Sequence, residues 1–276
     1  MEKIIAEIKD GQSIELLKEL HILTRDGKIN QDSRRKLKQV YHLYNFIEPL
    51  LSDLVKSNAS LNLVDHGAGK SYLGFILYDL FFKNLPDRGH IYGIESRQPL
   101  IEKSLELKQR LGFKNMSFLN LSVTAAIQSA EIPSAVDMVT ALHACDTATD
   151  DAIKFGIMRK AKYLVLVPCC QAEVATCLKK NKAQALAHPI TEIWRHPHHT
   201  REFGSHLTNV LRCLQLEAYG YQVNVTELVG LEHSLKNELI IATKIEGPRK
   251  RIADRLKLVL QDLGLSELET RFSTNL

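Results

Sequence analysis

Two short stretches carry the side chains best suited to chemistry, "ALHACDTATDDAI" at residues 141–153 and "VPCCQ" at residues 167–171. Together they offer an imidazole (His143), a carboxyl (Asp146), thiols (Cys145, Cys169, Cys170) and a carboxamide (Gln171). Several chemistries use such a set. His and Cys ligate zinc, but the paired C-x-x-C spacing of a zinc site is missing, so no metal is expected. A cysteine thiolate can add to an electron-poor ring such as a pyrimidine. Small buried thiols can also do no more than shape a pocket. In the fourth reading, His143, Asp146 and Gln171 position a substrate directly, and His143 or Asp146 takes a proton if the acceptor is a hydroxyl.

A third stretch, "NLVDHGAGKSYLGF" at residues 62–75, contains a glycine loop. Its Gly69-Lys70-Ser71 resembles the end of a phosphate loop, but that motif requires glycine where Val64 stands. The dinucleotide fingerprint fits by half, with Gly67 and Gly69 present and Tyr72 in place of the third glycine. Asp65-x-Gly67-x-Gly69 after a buried strand suits another ligand class. The glycines let backbone approach the ligand, and the carboxylate favours a cation over a phosphate. S-adenosylmethionine has that character. The plain alternative is a strand–turn–helix whose glycines only make the turn. Glu95, closing "HIYGIE", can accept hydrogen bonds from both hydroxyls of a ribose. Asn120 to Ser122, after the next strand, could border an adenine.

These residues need a scaffold that gathers strand ends. From Leu61 onward apolar runs and amphipathic segments alternate. Strands are predicted at "LNLVD", "HIYGIE", "MSFLNL", "AVDMVTAL" and "YLVLVP", with helices near 71–83, 98–111, 122–130 and 147–161. That rhythm implies a parallel sheet covered on both faces, where ligands collect at the carboxyl ends of the strands. A helical "QAEVATCLKKNKAQAL", an irregular histidine-rich "HPITEIWRHPHHTREFG" and a helix over 205–219 follow. The last strands, "YQVNVTELV" and "NELIIATK", suit an antiparallel hairpin. The predicted fold class is α/β, a class I methyltransferase (Rossmann-like) sheet, mostly parallel, with a C-terminal antiparallel hairpin.

Ahead of the sheet, residues 1–58 read as a helical extension, with a long amphipathic helix opening near Asn30 or Asp32. Arg34, Arg35, Lys36 and Lys38 at its start are either a solvated face or a surface for nucleic acid. The sheet domain is expected over 59–246 and a helical tail over 247–276. In the histidine cluster, His196 to His199 read as a polar surface loop rather than a metal site, and the region suits a substrate lid. Trp194 could be core or could stack on a base.

The composition is that of a soluble protein. The 276 residues are 45% hydrophobic and 25% charged, with a net charge of +4. No apolar run approaches the roughly 18 residues that span a bilayer. The charged start "MEKIIAEIKDG" lacks the apolar core of a signal peptide. Five cysteines, odd in number and without framework spacing, fit a reducing cytoplasm. The basic balance permits an anionic partner.

"DHGAGKSYLGF", "IYGIESR", "ALHACDTATDDAI" and "PCCQ", in this order, resemble bacterial S-adenosylmethionine-dependent methyltransferases of the methyltransferase-32 domain type. The resemblance runs from "RRKLKQVYHLYNFIEPLL" through "TELVGLEHSLKNELIIATK". The H-x-C-x-x-A-T-D element with a later C-C also resembles eukaryotic tRNA ribose 2′-O-methyltransferases. In those enzymes histidine follows the second cysteine, where this chain has Gln171. The resemblance implies S-adenosylmethionine as cofactor. It places Asp65, Gly67, Gly69 and Glu95 against it, with Lys70, Ser71, Ser122 and His143 as further candidates. RNA (tRNA or rRNA) is the expected partner, with no DNA and no membrane. A small-molecule or protein substrate, or a non-catalytic binding module on the same fold, is the alternative.

Overall fold

The computed structural model describes residues 7–85, 87–142, 144, 146–168, 171–181, 189–228 and 238–272. His143, Cys145, Cys169 and Cys170 lie outside the described residues.

Helix α1 (Ile14–Glu19) starts where the Ser13 hydroxyl accepts a hydrogen bond from the Leu16 N–H at 3.1 Å. It ends sooner than the apolar pattern through Leu23 suggests, because His21 turns into the left-handed region at φ 53°. Helix α2 (Gln31–Ser57) is capped by Asn30, whose side chain accepts from the Ser33 N–H at 2.8 Å. Leu37, Tyr44, Ile47, Leu51 and Leu54 recur at helical spacing and form its buried stripe.

Five βα units follow in chain order: β1 (Leu61–His66), α3 (Tyr72–Leu80), β2 (Gly89–Ile94), α4 (Gln98–Leu111), β3 (Met116–Leu119), α5 (Val123–Gln128), β4 (Met138–Ala141), α6 (Thr147–Met158), β5 (Tyr163–Leu166) and α7 (Glu173–Lys180). A 3₁₀ turn over Pro189–Trp194 leads into the long helix α8 (Pro197–Ala218). The chain then forms β6 (Tyr221–Glu227), β7 (Glu238–Lys244), α9 (Lys250–Asp262) and the short α10 (Glu269–Phe272).

The strands form one seven-stranded sheet in the order β3-β2-β1-β4-β5-β7-β6. Strands β1 to β5 pair in parallel, while β7 runs antiparallel between β5 and β6. This is the class I methyltransferase layout. The register sets Asp65 beside Gly93 on one side and Thr140 on the other, so the ends of β1, β2 and β4 lie level.

Three apolar clusters hold the layers. The first joins α1 and α2 (Leu16, Leu17, Ile47, Leu51) to the sheet through Leu63, Phe75 and Ile91. The second fills the other face with Val64, Val139, Ile153, Phe155 and Leu164. The third draws Trp194, Leu207 and Leu211 together with Val174, Leu178, Leu256, Leu260 and Phe272.

Helix α8 departs most from the sequence reading. It opens at Pro197, not near 205, so the histidine cluster is the exposed first turn of a helix instead of a loop. Proline at the first helical position is preorganised for that start. The Thr200 hydroxyl secures it by donating to the carbonyls of Trp194 (2.7 Å) and His196 (3.0 Å). Trp194 is buried and stacked on Phe203 at 5.2 Å between ring centroids, so it is core and offers no face to a base.

Arg212 of α8 meets the first turn of α6, at the carboxyl end of β4. The stretch from Pro197 to Arg212 spans about 22 Å along its own axis. It packs with α7 and the tail helices in the third apolar cluster, a cap beside the exits of β4 and β5. The backbones of α7 and α8 nearly touch there, since a Cβ on Gly204 would stand 2.6 Å from Ala175 Cα.

Candidate active site

Strand β1 ends in Asp65 and His66, and the chain turns through Gly67 and Gly69 at φ 66° and 59°. These left-handed angles are the ones glycine adopts without strain. The loop is pinned to its neighbours. A Cβ on Gly67 would lie 3.2 Å from that of Ala144, at the exit of β4, and the Ala68 N–H donates to the Ile94 carbonyl at 2.9 Å. Asp65 lies beneath the loop and accepts from the Thr140 hydroxyl at 2.8 Å. Burial pushes its carboxyl up to about 6. Asp65 therefore braces β1 against β4 and does not line the cavity above. Ser71 is likewise buried, in the left-handed region at φ 52° at the start of α3.

Glu95 follows β2 and is 5% exposed. Its Oε2 accepts from the Gly69 N–H (2.9 Å) and its Oε1 from the Arg97 N–H (3.0 Å). The Arg97 guanidinium adds 2.9 and 3.0 Å bonds, one to each oxygen. With Arg97 donating, the carboxyl falls to about 2, so it is ionised throughout the physiological range. Asn120 holds this turn from the next strand by donating to the carbonyls of Glu95 (3.2 Å) and Ser96 (2.9 Å). It supports the turn beside the cavity that Leu121 and Ser122 line.

Above these elements lies a cavity of about 500 Å³, walled by Gly67, Glu95 and Arg97, by Leu121 and Ser122, and by Ala144, Ala148 and Asp151. Ser122 caps α5, its hydroxyl accepting from Ala125 N–H at 3.3 Å. One wall residue escaped the sequence reading. His66 is buried, and among the described residues neither ring nitrogen has a hydrogen-bond partner. Burial pushes its imidazole down to about 4, so the ring is neutral. Its place at the carboxyl end of β1 was the available signal.

The charges on this wall suit a ligand without phosphates, since Glu95 and Asp151 oppose Arg97, the one cation among the described wall residues. Lys70 does not join it. That residue lies on a separate hollow of about 280 Å³ with His21, Tyr72, Lys103 and Arg110. A triphosphate would find no lysine here, in line with the rejection of the phosphate-loop motif. The residues present fit S-adenosylmethionine: a buried carboxylate at the end of β2, glycines where a ligand meets backbone, and an orphaned imidazole.

The exits of β4 and β5 meet as adjacency requires. Asp146 sits at φ 50° and ψ −122°, a conformation that ordinarily belongs to glycine. Its Oδ1 accepts from the N–H groups of Ala172 (3.0 Å) and Glu173 (3.4 Å), capping α7 from across the sheet. Its carbonyl accepts from buried Arg212 at 2.7 Å. Gln171 is also buried, donating to Asn209 (3.1 Å) and accepting from Ser205 (2.8 Å). Ala144 and Ala148 flank the Asp146 turn and line the cavity, so that turn borders it. Among the described residues no cluster of His, Cys, Asp or Glu is placed to hold a metal, and no helix is long and apolar enough to cross a membrane.

Several solved structures are similar to this chain at low identity. The magnesium protoporphyrin IX methyltransferase of Synechocystis PCC 6803, solved with bound SAH, is 15% identical over 85% of this chain and 96% of its own, with a TM-score of 0.46. Aeropyrum pernix fibrillarin, solved with S-adenosyl-L-methionine, is 12% identical over 67% of each chain at 0.41. An rRNA methylase from Streptococcus thermophilus is 11% identical over 68% of this chain and 89% of its own at 0.40. At such scores the ground for the fold class is this chain's own strand order. No curated protein sequence matches the chain. The model of a methyltransferase domain, type 32, matches residues 35–177, more than half of the sequence and all of the site from α2 to α7. The chain belongs to that methyltransferase domain family.

Proposed function

We propose that the chain is an S-adenosylmethionine-dependent methyltransferase acting on RNA, with 59–246 as its catalytic domain, a helical extension over 1–58 and a tail over 247–276. The observation that carries the reading is the Glu95 carboxylate, buried, ionised and tied to the glycine loop at the wall of the cavity. When bound, S-adenosylmethionine supplies a methyl group activated by its sulfonium. Glu95 accepts from the ribose hydroxyls, replacing bonds it now receives from Arg97. The Arg97 side chain is 66% exposed and is rehydrated when it yields its place. Gly67 and Gly69 give the ligand access to backbone.

The acceptor enters beneath the cap. Asp146 or His143 orients it and takes its proton, and most of the rate comes from holding the acceptor in line. Gln171 ties the exit of β5 to α8 through Asn209 and Ser205. Cys169 and Cys170 shape the pocket without forming a bond to the substrate.

RNA is favoured by exposed basic side chains at the start of α2. Arg35 and Lys38 are exposed and make no ion pair among the described residues. Lys36 donates to the His21 carbonyl at 3.4 Å, and His21 shares its hollow with Lys70 and Lys103 beside the glycine loop. The test is transfer of labelled methyl from S-adenosylmethionine to tRNA and rRNA lacking the modification, with nucleoside mass spectrometry naming the product. Labelled small molecules or protein with unlabelled RNA would refute the RNA assignment. Absence of S-adenosylmethionine binding would refute the enzyme.

A further inference from the structure

His66 is the most costly unsatisfied group beside the cavity. It is 3% exposed, and both ring nitrogens lack a partner among the described residues. Buried polar groups are almost always hydrogen-bonded, and each exception needs a cause. Packing alone supplies none. The ring lies against Phe155, with centroids 5.8 Å apart, where an aromatic hydrocarbon would serve better. The strand explains the direction it faces. Leu63 belongs to one face of the sheet and Val64 to the other, and His66, an even step from Val64, shares the face of Phe155 and the cavity of Glu95.

We infer that His66 is a specificity residue of the donor site, completing the hydrogen bonds of its two ring nitrogens on the nucleoside part of the bound S-adenosylmethionine. This rests on the function proposed above. The chemistry is complementary to that of Glu95. A carboxylate only accepts, whereas a neutral imidazole offers one donor and one acceptor. A hydroxyl-bearing nucleoside held by both has hydrogens taken by Glu95 and an oxygen met by the histidine N–H. A ring at about 4 keeps that neutral pattern at physiological pH.

The test reads binding and stability together. His66→Phe removes both orphaned nitrogens and keeps a planar ring, with His66→Leu as a smaller apolar variant should phenylalanine not fit. The ligand-free apolar variant is expected to melt at or above the wild-type temperature, because nothing is lost where nothing was bonded. By calorimetry it should bind S-adenosylhomocysteine and S-adenosylmethionine about tenfold more weakly. His66→Gln, which restores a donor and an acceptor, should recover part of that loss. Retained stability with lost affinity is a combination that a packing role does not produce. Apolar variants that bind as tightly as wild type overturn the inference and leave buried water as the partner of the ring. If the wild type binds neither ligand, the proposed function falls and the inference falls with it.

Discussion

Arg212→Met should be the most damaging single change outside the cavity. The guanidinium is fully buried and donates to Asp150 Oδ1 (2.7 Å) and Oδ2 (3.0 Å), to Asn209 Oδ1 (3.1 Å) and to the Asp146 carbonyl (2.7 Å). Removing it strands a carboxylate that is itself 4% exposed. Breaking a buried pair from one side costs about 3–5 kcal/mol, whereas replacing both members by apolar groups is often neutral. For a chain of this size that is on the order of 10 °C in melting temperature. Arg212→Met with Asp150→Leu should recover most of the loss. The turn at Asp146 should not recover, because its carbonyl has lost a donor in both variants. Hydrogen exchange separates the two effects, since the Ala172 amide donates to Asp146 Oδ1 at 3.0 Å and reports the turn. The expected result is a double variant with near-wild-type melting and faster exchange at Ala172 and Glu173. A single variant within about 1 kcal/mol of wild type, or a double variant with unchanged exchange, would refute this account.

Four further outcomes follow from the same contacts. Glu95→Gln should weaken S-adenosylmethionine binding by about tenfold or more, measured by calorimetry, since an amide offers one acceptor where the carboxylate offers two oxygens. The folded pKa of Asp65 stands above its unfolded value, so the folded state holds the extra proton, and stability should fall as pH rises from about 4 to about 6. Asp65→Asn should flatten that slope in melting curves taken across the interval. Reversing the charge of Arg35 and Lys38 should lower the log–log salt slope of RNA binding by roughly 1.5–2 and leave cofactor affinity unchanged. Gly204→Ala should cost about 1–3 kcal/mol in denaturant titrations, because the new methyl would meet the backbone of Ala175, which cannot step aside.

The sheet was legible because each of its strands announces itself locally. Leu61–Val64, Ile91–Ile94 and Leu164–Leu166 are apolar runs bounded by turns, and their alternation with helices dictates parallel pairing. Glu95, Gly67 and Gly69 were legible for a related reason, since strand ends are where an open α/β sheet collects ligands. What the sequence hid are pairings across distance. Nothing near Asp65 says that its partner is Thr140 on β4, and so its support of the loop could not be separated from ligand contact. Nothing near Gln171 points to Ser205 and Asn209 on α8. The start of α8 was misread because three histidines, His196, His198 and His199, surround and mask the proline that begins the helix.

The tail also reads differently once its partners are known. Alone, Leu256, Leu260, Leu265 and Phe272 are the apolar stripe of a terminal helical segment. In the fold they close on Val174, Leu178, Leu207 and Leu211, residues that lie between β5 and β6 in sequence. Neither segment could bury its apolar face without the other, so the cap is built from two separated pieces of chain and stands on one helix. That helix is α8, and Arg212 is where it meets the turn after β4 and the first turn of α6. One guanidinium there takes the Asp146 carbonyl, the Asp150 carboxylate and Asn209, which in turn holds Gln171. A displacement of the cap therefore reaches the Asp146 turn directly, through bonds of 2.7–3.1 Å and no intervening loop.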